Sequence, residues 1–353
     1  MRWIAALLAL AALGAGAAVA AVWWVFLRDL PDFHSLEDYR PPLTSVVLDR
    51  EGRPIGEFFE FRRTLTPMEE VPPVVIQAFL AAEDDTFFEH QGVDYASILR
   101  AAWTNLRAGG ETRQGASTIT QQMVKQLLLS PERTYRRKIR ELFLARRIEQ
   151  NFTKQEILYL YLNEIYFGSG AYGIGEAART YFDESVDELD AGEAALLAGL
   201  PKAPTANSPF VNPQRAEARR RYVLERMREE GYLDEATWRE AVAHPPELFS
   251  GHRPDFEVAS YFVEEVRRRL VERLGNETVL HGGLTVETTL DLELQYAAVD
   301  AVREGLEAYD RRRGWRGSPR RPARTRPSWT RSAPRPAAAT CSSACARRAT
   351  SPR

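Results

Sequence analysis

Two glutamates, Glu83 and Glu141, bracket a stretch of the chain that is rich in hydroxyl, amide and cationic side chains. A positioned carboxylate can take the proton of a hydroxyl as a general base. Clustered cations can stabilise an anionic group that leaves during a reaction. The residue types therefore predict a site that deprotonates a hydroxyl at one end and holds an anion at the other.

Three segments of this stretch follow the first three motifs of a known enzyme family. The matching residues are Glu83, Asp84, Phe87, His90 and Gly92 for Glu-Asp-x-x-Phe-x-x-His-x-Gly, Gly115, Ser117, Thr118, Gln121 and Gln122 for Gly-x-Ser-Thr-x-x-Gln-Gln, and Arg137, Lys138 and Glu141 for Arg-Lys-x-x-Glu. Two further family-like segments follow, over residues 161–175 and 196–204. Five ordered motifs are far more specific than one. The sequence thus resembles the peptidoglycan glycosyltransferase domain (glycosyltransferase family 51) of class A penicillin-binding proteins.

This resemblance implies a mainly α, lysozyme-like domain that polymerises lipid II into β-1,4-linked glycan strands and releases polyprenyl diphosphate. Lipid II, the growing strand and the bilayer are the implied partners, with other cell-wall synthesis proteins as further candidates. Moenomycin, a donor-mimicking phosphoglycolipid, is the inhibitor of the resembled family. No nucleic acid and no organic cofactor are expected.

The resemblance also assigns roles within the motifs. Glu83 is expected to act as general base on the acceptor 4-hydroxyl, and Glu141 to orient the cations or hold a divalent ion such as Mg²⁺ against the phosphates. The expected substrate-binding residues are Asp84, Phe87, His90, Ser117, Thr118, Gln121, Gln122, Lys125, Arg133, Arg137 and Lys138.

The sequence is also compatible with two other functions. A hydrolase on a lysozyme-like fold also uses carboxylates to cleave glycan, although a cation cluster has no task on an uncharged leaving group. The other alternative is an inactive, truncated protein tethered to the membrane.

The elements that position these residues are predicted to be helices. Pro72 and Pro73 favour a helix start, because proline is tolerated in the first turn, and Glu83 falls at the C-terminal end of that helix. A carboxylate there meets the negative end of the helix dipole, and apolar neighbours disfavour its charged form. The sequence therefore predicts a raised pKa for Glu83.

Three further helices carry the remaining motif residues. Residues 94–108 form one, with its apolar residues expected to face inward: Ile98, Leu99, Ala102, Trp103 and Leu106. Residues 117–129 form the next, with Ser117 as N-cap. Ser130 and Pro131 begin the third, on which Arg133, Arg137 and Glu141 recur every four residues and so share one face.

The whole chain is predicted to contain five regions. A cytoplasmic tip and signal-anchor helix covers residues 1–28, a linker and β-hairpin 29–70, and the glycosyltransferase domain 71–250. Residues 251–310 resemble the region that leads to a transpeptidase in the family, and an Arg/Pro-rich tail covers 311–353.

The first region depends on Trp3 to Leu27, a stretch of 25 residues without charge, which is long enough to span a bilayer. A cleaved signal peptide is the alternative, because small residues near Ala15 and Ala20 could offer a cleavage site. Arg2 precedes the span, so the positive-inside rule places the N-terminus in the cytoplasm and the catalytic domain on the outer face of the bacterial inner membrane.

The tail differs from the rest of the chain in composition. From Arg311 onward it holds thirteen arginines, six prolines and no Asp or Glu, which predicts disorder and resembles a gene read out of frame. Both cysteines, Cys341 and Cys345, lie here, so the body needs no disulfide. The chain contains neither Ser-x-x-Lys nor Lys-Thr-Gly, and no transpeptidase half is expected.

Overall fold

The structure is a computed structural model that describes residues 39–107, 117–129, 134–249 and 251–314, together with residues 3, 13, 14 and 16. The helices of the described part are α1 (Pro73–Glu83), α2 (Tyr95–Arg107), α3 (Ile119–Leu128), α4 (Tyr135–Asn151), α5 (Lys154–Glu164), α6 (Ile174–Tyr181), α7 (Ala191–Gly199), α8 (Pro213–Glu229), α9 (Glu235–Ala243), α10 (Pro254–Leu274), α11 (Asn276–His281) and α12 (Leu292–Arg312). The strands are β1 (Ser45–Leu48), β2 (Pro54–Phe58), β3 (Arg62–Arg63), β4 (Tyr166–Gly168), β5 (Ala171–Tyr172) and β6 (Thr285–Glu287). The expectation of a mainly α fold is confirmed.

The chain divides into two compact units, residues 1–296 and 297–353. Within the first unit, helix α1 lies in the core and packs against both α7 and α8. Pro73 occupies its first turn, as predicted. Its buried residues include Val75, Phe79 and Leu80, and each large apolar side chain removed from water stabilises the fold by about 1.5–3 kcal/mol. Glu83 therefore leaves the core at the end of a helix that is fixed along its length.

The other motif helices pack on one another. Helix α3 contacts α4 and α5, and α5 begins with a capping box between Thr153 and Glu156. The structure corrects two of the predicted helix starts. Thr118, not Ser117, caps α3 by accepting a hydrogen bond from the Gln121 backbone, and α4 begins at Tyr135 with Thr134 as its cap.

The described residues of the first unit also form two small sheets. The predicted hairpin is present, because β1 and β2 pair antiparallel, and β6 joins β1 in parallel to give the strand order β2-β1-β6. Helix α10 packs against β2 at Gly56, where an added Cβ would lie 2.5 Å from Val263. The second sheet has the order β3-β5-β4. Residues far apart in sequence thus share one sheet.

Helix α2 departs from its predicted orientation. Leu99 is 71% exposed and Trp103 57% exposed, although both were expected to face inward. Periodicity identifies an apolar stripe on a helix but does not show which neighbour covers it.

The predicted membrane span, Trp3 to Leu27, lies outside the described residues except at positions 3, 13, 14 and 16, and it stays a prediction. In the described ranges, no helix is long and apolar enough to cross a bilayer. The tail beyond residue 314 also lies outside them.

Candidate active site

A cleft of about 740 Å³ opens where helix α1 ends. Its lining combines Glu83 with residues of four other segments: Asp94, Ser97 and Arg100 at the start of α2, Ser117, Thr118, Gln122 and Lys125 around α3, Pro201 and Lys202 after α7, and Arg219, Tyr222 and Arg226 on α8. The fold thus brings the first and second motifs together with a part of α8 that lies about 100 residues further along the chain.

Glu83 is held on one side of its carboxylate only. Gln122 Nε2 donates a 2.7 Å hydrogen bond to Oε2. Oε1 is buried, has no hydrogen-bond partner in the described part of the chain, and lies 3.7 Å from the Arg219 guanidinium. Burial raises the pKa of Glu83, while Gln122, Arg219, Lys202 and Lys125 counteract that rise. One oxygen of an incompletely solvated carboxylate is therefore available to accept a proton.

Glu141, the second glutamate, has different contacts. Glu141 has a side chain only 4% exposed, and its two oxygens lie 3.0 Å from Arg137 Nε and 2.9 Å from Lys138 Nζ. The Lys138 ammonium also donates to Ser117 Oγ at 2.8 Å and to Gln121 Oε1 at 3.1 Å. Glu141 therefore holds two cations close together.

A divalent ion at Glu141 gains little support from the described residues. Both carboxylate oxygens already face cations, and no group of three His, Cys, Asp or Glu residues within the described ranges could hold a metal. An Mg²⁺ ion would have to take most of its oxygen ligands from substrate phosphates. The Mg²⁺ ion stays a prediction, and the proposed reaction uses the chain's own cations.

Lys125 forms no ion pair or side-chain hydrogen bond with a described residue. It lines the cleft and is exposed. Desolvation lowers its pKa, Arg137 and Lys138 lower it further, and Glu141 and Glu83 raise it. Its position between the two glutamates gives an anionic group in the cleft an ammonium partner.

Asp84, expected to bind substrate, lines the cleft and joins two elements. Its carboxylate accepts a 2.9 Å hydrogen bond from the Ile119 backbone at the start of α3 and lies 3.0 Å from His90 Nε2. His90 Nδ1 accepts a hydrogen bond from the Gly92 backbone, so Nε2 carries the proton and donates to Asp84. Asp84 and His90 therefore fix the end of α1 to α3.

Phe87 was also expected to contact substrate, and it lies in the core. Its side chain is fully buried and the Lys154 ammonium lies 4.3 Å from its ring centroid. Thr118 donates a 2.7 Å hydrogen bond to the Gly92 carbonyl, which fixes the same loop. These motif residues therefore hold the wall of the site in place, and two of them, Asp84 and Thr118, also line the cleft.

Gly92 gives the first testable prediction. It has φ +83°, and an added Cβ would lie 2.6 Å from the Ala145 carbonyl oxygen. We expect Gly92→Ala to reduce the free energy of unfolding by about 2 kcal/mol or more, since strain of this kind costs about 1–3 kcal/mol before any clash. The measurement is denaturant unfolding. Gly170→Ala is the matched control, with the same φ and no atom within 4 Å; an equal loss in both variants would contradict the role of the contact with α4.

Four cations of the cleft were not nominated as site residues from the sequence. Arg219 and Arg226 lie on α8, Lys202 follows α7, and Arg100 lies on α2. The Arg219 guanidinium packs over Tyr222 at 4.5 Å. Arg226 binds Asp85 at 2.7 Å. The arginine-rich sequence of α8 is typical of a solvated surface helix. Only the packing of α8 against α1 shows that Arg219 and Arg226 line the cleft. Arg133, a predicted site residue, lies outside the described residues.

Several known proteins are similar to this chain. A family model described as Transglycosylase matches residues 51–228. Penicillin-binding protein 1A of Rickettsia prowazekii (strain Madrid E) is 42% identical over 294 residues, covering 82% of this chain and 37% of that protein. Penicillin-binding protein 1A of Escherichia coli (strain K12) is 44% identical over 313 residues, covering 86% and 36%. The chain thus spans little more than a third of the length of these curated relatives.

A solved structure also matches, the crystal structure of penicillin-binding protein 1A from Haemophilus influenzae. Its TM-score is 0.44 at 30% sequence identity, and the match covers 82% of this chain and 32% of that chain.

Proposed function

Because the chain belongs to the transglycosylase family, we propose that it is a peptidoglycan glycosyltransferase that polymerises lipid II into β-1,4-linked glycan strands. The observation that carries the proposal is the pair of unlike glutamates. Glu83 has a raised pKa and one oxygen without a hydrogen-bond partner in the described part of the chain, whereas Glu141 has cations close to both oxygens. One carboxylate suits proton transfer and the other suits the binding of cations.

The proposed reaction begins at Glu83. Its Oε1 accepts the proton of the acceptor 4-hydroxyl while Gln122 fixes Oε2. The hydroxyl oxygen forms a bond to the anomeric carbon of the donor strand, and the bond from that carbon to the diphosphate oxygen breaks. Attack from the face opposite the leaving group inverts the configuration. General base catalysis of this kind typically contributes about 10²–10⁴ in rate.

The leaving diphosphate takes up the electron pair and needs positive charge nearby. Lys125 faces the cleft, and Lys138 reaches it through Ser117. All three Lys138 protons point to protein acceptors, so we propose that phosphate oxygens replace the Ser117 hydroxyl as one of them. Fixed charges that meet the charge developed in the transition state are the usual source of such stabilisation.

The hydrolase alternative is weakened by the other carboxylates of the cleft. Hydrolysis of this type generally needs a second carboxyl group that is free to act on water or sugar. Asp84 binds His90 and the Ile119 backbone, Asp85 binds Arg226, and Asp94 accepts a hydrogen bond from the Ser97 backbone. None of these three is free to serve as the partner of Glu83.

One experiment separates these functions. Purified protein in detergent or vesicles is given labelled lipid II, and the products are resolved by length; the same protein is given uncrosslinked glycan. Strand formation without cleavage supports the proposal. Cleavage of the glycan supports a hydrolase, and the absence of both reactions supports an inactive protein.

We also propose that the protein is anchored in the bacterial inner membrane by residues 1–28 and that α2 touches the outer face of the bilayer. Tyr95, Leu99 and Trp103 are spaced four residues apart and are 66%, 71% and 57% exposed. Contiguous exposed apolar side chains mark interaction surfaces, and tryptophan favours the membrane interface.

A fluorescent probe tests this contact. With Cys341 and Cys345 replaced by serine, Leu99→Cys is labelled with an environment-sensitive dye in proteoliposomes. We expect a blue shift and quenching by brominated lipid, because the label enters an apolar layer. Tyr261→Cys is the control, at a position that is 92% exposed on α10. Equal spectra at the two positions would argue against the contact.

A further inference from the structure

A second pocket in the first unit combines cations with aromatic rings. It encloses about 480 Å³, and its lining among the described residues includes three arginines and a histidine but no aspartate or glutamate. The name arginine-aromatic pocket is used for Arg62, Arg179, Phe210, His252, Arg253 and Phe256, which supply these groups. A cavity of this composition favours an anionic ligand that also has apolar faces.

The three arginines of this pocket differ in their ion-pair partners. Arg62 Nε lies 3.3 Å from Glu57 and 3.5 Å from Glu176, and Arg253 binds Glu57 and Asp183 at 3.2 and 2.9 Å. Both guanidiniums therefore already have carboxylate partners.

Arg179 is different, because it is exposed and forms no ion pair with any described residue. It acts on Glu176 only through space: burial and Glu57 raise the pKa of Glu176 to about 7, and Arg62, Arg179 and Arg253 limit that rise. Arg179 is therefore the cation of the pocket that an incoming carboxylate can bind without displacing a partner.

Phe210 supplies a fixed apolar face. It is 48% exposed, and its ring stacks on Tyr181 with centroids 5.3 Å apart and an interplanar angle of 7°. The Tyr181 hydroxyl is bound to the Phe167 carbonyl. One face of Phe210 is thus held by the protein, and the remaining surface can receive the apolar face of a ligand ring.

The loop between α7 and α8 connects this pocket to the active-site cleft. Pro201 and Lys202 line the cleft, whereas Phe210 lines the pocket. Phe210 lies eight positions after Lys202, so the two Cα atoms lie at most ~29 Å apart. Backbone hydrogen bonds such as Asn207 N to Ala203 O at 2.8 Å make the loop more compact than that limit. A linear product that follows this loop reaches the pocket after growing by several sugars.

From this arrangement we infer that the arginine-aromatic pocket binds the growing glycan strand away from the reaction centre, which rests on the proposed function. Arg179 binds a carboxylate of a peptide carried by the strand, and Phe210 stacks against a sugar ring. The contact forms only once the strand is long enough. It therefore holds long products on the enzyme and leaves the first coupling unaffected.

The first test compares product lengths. Arg179→Ala and Phe210→Ala are assayed with labelled lipid II against two controls outside both cavities, Arg239→Ala and Tyr261→Ala, which replace exposed residues on α9 and α10. We expect the first coupling to keep the wild-type rate in all four variants. The mean strand length should shorten about threefold in the pocket variants alone, as the loss of one exposed ion pair or one ring contact predicts. Unchanged lengths, or equal shortening in the controls, would overturn the inference.

The second test measures binding directly and does not depend on turnover. Soluble, lipid-free, uncrosslinked glycan oligomers with intact peptides are titrated into the full-length protein, and the same oligomers with amidated carboxylates serve as comparison. We expect about threefold weaker binding after amidation and after Arg179→Ala, without an additive effect of the two. Equal affinity for the amidated oligomer, or equal affinity for the free acidic peptide alone, would reject the strand as the ligand. A wild-type protein that polymerises nothing yet binds the oligomer through Arg179 would contradict the proposed function and leave the pocket assignment standing.

Discussion

Replacing Glu83 with glutamine should reduce the rate of lipid II polymerisation by at least about 10²-fold, the lower limit expected for loss of a general base. Glutamine keeps the shape of the side chain and can still meet Gln122, which now holds Oε2 at 2.7 Å. It cannot accept the proton through Oε1. The affinity for moenomycin should change little, because the Lys125 and Lys138 ammoniums stay in place.

The pH dependence of the wild-type enzyme should follow the same group. Burial raises the pKa of Glu83, so the protonated, inactive form persists to higher pH than for an ordinary glutamate, whose pKa is about 4.3. The value of kcat/KM should therefore rise with pH through this raised pKa. The free energy of unfolding should also fall as pH rises from the ordinary pKa of the unfolded state to the raised pKa of Glu83, because the folded state favours the protonated carboxyl. Glu83→Gln does not titrate and should be more stable than wild type at neutral pH, with the advantage shrinking towards pH 4.

The control is Asp85→Asn, which removes a carboxylate of the same cleft that is bound to Arg226. Its turnover should stay within about tenfold of wild type, because Asp85 is not placed to accept the proton. A Glu83→Gln variant that retains a tenth of wild-type turnover would mean that another group takes the proton.

Lys138→Ala should have the second largest effect, with turnover reduced by about 10²–10³-fold, as for loss of one preorganised donor at a developing charge. Lys138 joins Ser117 and Gln121 of the α3 segment to Glu141 of α4. Its removal deletes a cation and leaves Glu141 buried with Arg137 as its ion-pair partner among the described residues. Moenomycin affinity should fall together with turnover, in contrast to Glu83→Gln.

Two companion variants sharpen this test. Glu141→Gln should lower both quantities by less, because Lys138 keeps its contacts to Ser117 and Gln121. Arg136→Ala removes an exposed cation of the same helix that lies outside the cleft lining, and it should leave both quantities near wild type. If Lys138→Ala lost turnover but bound moenomycin as wild type does, the ammonium would not contact the donor phosphates.

Much of this molecule is determined by local sequence. Proline in the first turn and an apolar face specify α1, and Thr153 with Glu156 begins α5, because such signals act within a few residues of the helix end. The order of the motifs was sufficient to identify the family and to nominate Glu83 as base. The hydrophobic pattern also gave the β1–β2 hairpin.

The tertiary structure decided where each motif residue lies in the site. Asp84, Phe87 and His90 share a motif with Glu83, but packing places them in the wall of the site. A motif records which residues occur together and does not distinguish a group that touches substrate from one that holds its neighbour. Only the folded chain brings Arg219 of α8 to Glu83 and Lys138 of α4 to Ser117. Long-range packing sets these distances, and no spacing along the sequence encodes them.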